Sequence, residues 1–129
     1  MRLVERHVIK IGHQFYKEIH DLAWRSKNLY NYANYLVRQS LIFEGKYLNN
    51  AAVFHLVKHH ESYIALPRKV SNQVLMVLHR NWKSFFEAQK SYKQNYSKFK
   101  GRPKLPKYKD KDKGRNIVIY ELGAISKTN

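Results

Sequence analysis

The chain has 129 residues and a formal net charge of +16, and 43% of its residues are hydrophobic. This length suits one domain with a real core, and the hydrophobic content excludes a wholly disordered chain. There is no cysteine, which excludes a disulfide framework and a thiolate zinc site and is typical of a cytoplasmic protein. No stretch approaches the roughly 18 apolar residues of a membrane span, and no signal peptide is recognisable at the start.

Residues 2–11 are predicted to form a strand, because branched and polar residues alternate there until Gly12. A long helix is predicted over residues 14–44, which contain neither Gly nor Pro. Leucines and small residues recur along it at steps of three and four, which indicates one buried stripe. Gly45 supplies the turn that ends it.

A shorter helix is predicted over residues 50–62, with Asn49 or Asn50 as its N-cap. Pro67 then breaks the chain. A second long helix is predicted over residues 68–93, because valines and leucines again recur with a helical period. Pro67 suits the start of that helix, where its missing N–H costs nothing.

Residues 94–114 show no period and are punctuated by Gly and Pro, so they are predicted to form a basic loop. A second strand is predicted over residues 116–122, and we expect it to pair with residues 2–11. The fold class predicted for the single domain, residues 1–129, is α+β and mostly α. It is a helical hairpin or small bundle of two long helices and one short helix, with a small antiparallel sheet from the N- and C-terminal strands.

Charge is concentrated between Lys90 and Arg115, where eleven Lys or Arg and two Asp give a net +9 in 26 residues. Four rings lie between these cations, namely Tyr92, Tyr96, Phe99 and Tyr108. Polyanions complement such a surface, and rings among cations favour nucleic acid over an acidic protein. The alternative is a solvated, disordered charge run. We favour binding because the rings and the turn at residues 101–106 are more than a solubilising tail needs.

Metal and catalytic signals are weak. His55 and His59 lie four residues apart on a predicted helix, which is zinc-site spacing, but a polar helix face with incidental histidines explains them as well. The nine carboxylates form no cluster, and no Gly-rich phosphate loop is present. We therefore predict no catalytic residue, no metal and no cofactor.

Amides and tyrosines crowd the first long helix between Asn28 and Tyr35. Amides hydrogen-bond bases and sugars, and rings stack on bases. The same residues also suit helix packing with buried hydroxyls. The residues by themselves leave both interpretations open.

The segment Phe99 to Lys109, with its Gly-Arg-Pro-Lys turn, resembles a signature of the TnpB/OrfB proteins of bacterial insertion sequences. Leu29-Tyr30-Asn31 resembles a motif on the first helix of that family. A third likeness covers Leu66-Pro67 and the helix after it, including Val70, Val74, Leu75, Leu78 and Ser84-Phe85-Phe86. The resemblance extends over essentially the whole chain, and its most specific part is the Gly-Arg-Pro-Lys turn.

This resemblance implies an RNA-guided DNA nuclease family that is similar to compact type V CRISPR effectors. Its N-terminal part combines a β-barrel-like wedge with a helical recognition bundle, and older descriptions call it a helix-turn-helix DNA-binding region of a transposase. The nuclease residues and a cysteine zinc ribbon come later in the family. The resemblance therefore implies that this chain corresponds to the N-terminal part alone, binds guide RNA or DNA, and does not cut it.

The predicted function is thus nucleic-acid binding without catalysis, with RNA, DNA or both as partner. The alternative is a self-associating structural remnant of a transposase that forms homo-oligomers through exposed apolar surface. The candidate nucleic-acid-binding residues are Tyr30, Asn31, Tyr92, Lys98, Phe99, Lys100, Arg102, Lys104, Lys107, Tyr108 and Lys109.

Overall fold

Two long helices frame the fold in the computed structural model, which describes residue 12 and residues 14–119. Helix α1 (Tyr16–Gln39) continues as one π-helical turn over Ser40–Glu44 and ends at Gly45. Gly45 has a φ of 67°, a left-handed conformation that glycine adopts without a Cβ penalty. The helical run therefore ends where the sequence places the break.

The predicted 50–62 helix is divided in two. Helix α2 (Asn50–Val57) is capped by Asn49, whose side chain accepts a hydrogen bond from the Ala52 N–H at 2.9 Å. Helix α3 (Glu61–Ile64) begins after His60, which is extended and accepts from the Ser62 N–H at 3.1 Å. His60 acts as a second N-cap, and this interrupts the helix between α2 and α3.

Helix α4 (Arg68–Gln94) begins directly after Pro67, and a 3₁₀ turn over Tyr96–Lys98 follows it. Helices α1 and α4 pack against each other, and α2 and α3 contact both of them. The core lies between the four helices. It is formed by Leu29, Tyr30, Ala33, Val37, Val53, Val57, Tyr63, Leu66, Val70, Val74, Leu75, Leu78 and Trp82.

The predicted α+β class is wrong for the part of the chain that the structure describes, which is helical and contains no strand. Residues 116–119 have no regular secondary structure, and the backbone hydrogen bonds of Asn116 and Ile117 go to helix α1. The Asn116 N–H donates to the Ala23 carbonyl at 3.3 Å, and the Ile117 carbonyl accepts from the Ser26 hydroxyl at 3.0 Å. The predicted partner strand, 2–11, and residues 120–122 lie outside the described residues.

None of the helices within residues 14–119 combines the length and the apolar character needed to cross a bilayer.

Candidate nucleic-acid interface

The basic segment lies along helix α1 as an ordered strap, which we define as residues 103–117. Asn34 on α1 donates to the Pro106 carbonyl at 3.1 Å. Further along the strap, Lys27 donates to the Lys111 carbonyl at 2.5 Å. Contacts that advance along the strap thus move back along α1, so the strap runs antiparallel to the helix.

Asn31 holds the middle of the strap with two hydrogen bonds. Its Oδ1 accepts from the Lys109 N–H at 2.8 Å, and its Nδ2 donates to the Lys109 carbonyl at 2.9 Å. One amide side chain thereby pairs with both backbone groups of one residue, as a neighbouring strand would. This double contact sets the register of the strap on α1.

Asn34 links three elements from a fully buried position. Its Nδ2 binds the strap at Pro106, and its Oδ1 accepts from the Trp82 Nε1–H at 2.9 Å. Trp82 lies on α4 and is itself fully buried. The strap is therefore tied to the helix pair through a hydrogen-bonded polar group inside the core.

Lys27 is a buried cation beneath the strap. Its Nζ lies 3.3 Å from the centroid of the Trp24 ring, a cation–π contact, and also donates to the strap backbone. Burial lowers the pKa of Lys27, and the nearby Arg115 guanidinium lowers it further, while Asp112 and Asp110 oppose the shift. Lys27 thus serves to hold the strap, and its charge is not available at the surface.

A tight turn closes the far end of the strap. The Asp110 carboxylate accepts from the N–H groups of Asp112 and Lys113 at 2.9 and 2.8 Å. These two bonds lower the pKa of Asp110. A Cβ on Gly114 would overlap the Asp110 carbonyl oxygen, so the turn requires glycine. The two acidic residues of the basic segment therefore belong to a turn.

The predicted cations of the segment are mostly at the surface. On the strap, backbone N–H and carbonyl groups make hydrogen bonds to side chains of α1. Lys109 is half-buried, with its Nζ 5.0 Å from the centroid of the Tyr30 ring. The cations that are exposed among the predicted site residues are Lys98, Lys100, Arg102, Lys104 and Lys107.

The predicted ring and amide contacts divide into structural and accessible groups. Tyr30 is only 2% exposed, and its hydroxyl accepts from Asn81 at 2.9 Å. Tyr92 and Phe99 pack against each other, edge to face, with centroids 5.6 Å apart. Asn31 is bonded to the strap, so Tyr30, Asn31 and Tyr92 all make contacts within the fold. For Tyr30 and Asn31 on the first helix, the structure favours helix packing over contacts with bases.

Tyr108 is the predicted ring that the structure leaves accessible, at 42% exposed. The Arg38 guanidinium lies 4.9 Å from its ring centroid and covers one face. Tyr96, at 71% exposed, is a further accessible ring that was not among the predicted site residues. The spacing of rings among cations favours nucleic-acid binding, but it does not indicate which rings are exposed to solvent.

A groove of about 480 Å³ separates the strap from the C-terminal half of α4. Its lining contains three lysines and no carboxylate. The α4 side is contributed by Asn81, Ser84, Phe85 and Ala88, and the rest by Tyr30, Pro103, Lys104, Pro106, Lys107, Tyr108 and Lys109. The groove is therefore positively charged, with rings and amide or hydroxyl groups in its walls.

His55 and His59, the weak metal candidates, are both exposed. Within the described part of the chain, no three His, Cys, Asp or Glu side chains come together as a metal site would require. These histidines lie away from the groove lining.

The residues that anchor the strap include several that sequence reasoning missed. Ser26, Lys27 and Asn34 lie with Tyr30 and Asn31 at steps of three and four along α1. This spacing could be recognised in the sequence, because it places the five residues in one polar stripe beside the apolar stripe of the helix. What it contacts was not readable, because the partner is backbone from a segment more than 70 residues away.

Comparison of the chain with protein-family models, curated proteins and solved structures finds no match.

Proposed function

We propose that this chain binds nucleic acid through the exposed cations of the strap and the turn that precedes it, and that it does so without catalysis. The observation that carries the proposal is the exposure of Lys98, Lys100, Arg102, Lys104 and Lys107 in one short run. Lys104 and Lys107 belong to the strap, whose backbone is hydrogen-bonded to α1 at Pro106 and Lys109. A disordered charge run loses entropy when it is ordered by a ligand, whereas a backbone already held on α1 loses less.

Nucleic acid fits this surface better than other polyanions because the cations are combined with accessible rings. Lysine and arginine neutralise phosphates, and Tyr108 and Tyr96 offer π-faces for stacking. Because no carboxylate lines the groove, a phosphate bound there is not repelled by a negative side chain in the lining. An acidic protein would use the charge but not the rings.

The resemblance to the N-terminal part of TnpB/OrfB proteins supports the same proposal, and it suggests guide RNA or target DNA as the ligand. Its most specific residues, Gly101 to Lys104, lead into the strap, and Pro103 and Lys104 line the groove. A nucleic-acid partner and the absence of cysteine favour a cytoplasmic location.

The test is a binding titration of labelled RNA and DNA at several salt concentrations. If the five cations named above each neutralise a phosphate of duplex DNA, log K falls with log salt at a slope of about −4.5. Replacing Lys100 and Arg102 by Ala should reduce the steepness by about 2. Lys46→Ala, an exposed lysine outside the strap, is the matched control. A salt-independent response, or no binding, would overturn the proposal.

Self-association is the second candidate, and the end of α1 favours it. Ile42 and Phe43 are 56% and 76% exposed on the π-helical turn. Adjacent exposed apolar side chains of this size favour contact with another apolar surface. Light scattering should then show a dimer that Phe43→Ser converts to a monomer, whether or not RNA is present. A monomeric wild-type chain would exclude this candidate.

A further inference from the structure

The groove between the strap and α4 is open and chemically mixed, since its lining combines lysines, rings and amide or hydroxyl groups. We propose that it holds one unpaired base of a single-stranded nucleic acid, with the base stacked on Tyr108 and the flanking phosphates on Lys104 and Lys107. This inference rests on the proposed function and narrows it from nucleic acid in general to single strands.

The size of the groove suits one nucleotide. Its volume of about 480 Å³ lies within the range of small-ligand sites, about 300–1,000 Å³. A base inside a duplex has both faces covered by its neighbours, so it cannot stack on a protein ring unless it is unpaired. The groove is therefore suited to a base that is already free of a partner strand.

Tyr108 is held in place on both sides. The Pro106 carbonyl is bound by Asn34, and both backbone groups of Lys109 are bound by Asn31. Arg38 covers one face of the ring, and the ring is 42% exposed and lines the groove, so we place the base on its opposite face. A ring that is fixed before binding loses little conformational entropy when a base stacks on it.

The α4 wall supplies groups for the edge of the base. Asn81 donates through Nδ2 to the Tyr30 hydroxyl, which orients the amide, and its Oδ1 is an acceptor of the type that exocyclic amino groups bind. Ser84, one turn further on, is exposed and adds a hydroxyl. Phe85 contributes an apolar wall beside them.

The experiment compares a labelled single strand with a duplex of the same sequence, using the full chain. We expect tighter binding of the single strand. Tyr108→Leu removes the ring but keeps apolar bulk, and it should weaken single-strand binding by about 5- to 150-fold, as expected for one stacked base. Duplex binding should change little. Tyr35→Leu, at an exposed tyrosine of α1 that does not line the groove, is the control.

A second readout is independent of affinity. A single strand that contains 2-aminopurine should lose fluorescence when its base stacks, and Tyr108→Leu should abolish this quenching at saturating protein. Circular dichroism confirms that the variant is folded. Steeply salt-dependent binding that Tyr108→Leu leaves unchanged, or weakens equally for both strand types, would overturn this inference alone. Absence of any nucleic-acid binding would overturn the proposed function as well.

Discussion

Replacing Asn34 by Ala should be among the more destabilising single changes in this chain. The side chain is fully buried, and it makes one hydrogen bond to the strap and one to the indole of Trp82. Removing it leaves the Trp82 N–H buried without a partner, which costs about 1–3 kcal/mol. The lost bond to Pro106 adds about 1 kcal/mol.

The expected loss of about 2–4 kcal/mol is large beside the roughly 5–15 kcal/mol that stabilises a typical domain. Urea unfolding followed by circular dichroism measures it as a shift in midpoint at constant m-value. Asn28→Ala is the control, because Asn28 is exposed on the same helix and surface changes usually stay within about 0.5 kcal/mol.

A double-mutant cycle isolates the contact. In a Trp82→Phe background the unpaired donor no longer exists, so Asn34→Ala should cost about 1–3 kcal/mol less than in the wild-type chain. Strictly additive effects would show that the two side chains do not interact, and the reasoning that places Asn34 between α4 and the strap would fail.

Three further outcomes are expected. Gly114→Ala should destabilise the turn by about 1 kcal/mol or more, because its Cβ would overlap backbone, whereas Gly101→Ala, with no atom within 4 Å, should be tolerated in urea unfolding. Burial lowers the folded-state pKa of Lys27, so just below the unfolded pKa of 10.5 the unfolded chain binds more protons than the folded chain. The stability of the wild-type chain relative to Lys27→Met should therefore rise as the pH increases toward 10.5. A flat or falling difference would contradict this. Asn31→Asp keeps an acceptor for the Lys109 N–H but loses the donor to its carbonyl, so amide hydrogen exchange at Lys109 should become faster. Unchanged exchange would show that the two hydrogen bonds of Asn31 do not hold the strap.

The helices were readable because their determinants are local. A long run without Gly or Pro, the left-handed turn at Gly45 and the proline before α4 act within a few residues of where they stand. His60 was harder, since a histidine that caps a helix through Nδ1 has no distinctive sequence pattern. The predicted 50–62 helix was therefore interrupted at a point that sequence did not mark.

The sheet was predicted from alternation, and alternation reports only that a segment is extended with two unlike faces. Residues 116–119 form no strand, and the groups that bind the backbone of Asn116 and Ile117 come from Ala23 and Ser26 on α1. Polar side chains on a helix can replace a neighbouring strand as hydrogen-bond partners. The sequence of the segment is the same in both cases, so its pattern could not distinguish them.

For the candidate site, the charge and the rings among the cations could be predicted from the sequence, because these are properties of composition and spacing. Which of these groups face outward depends on how the chain packs, and it could not be predicted. Tyr30 and Asn31 are residue types that can contact bases, but they are hydrogen-bonded to Asn81 and Lys109 within the fold. Tyr108, in contrast, is exposed. The reason is physical: a buried polar group must find a partner, and which partner it finds depends on segments far apart in the chain that only folding brings together.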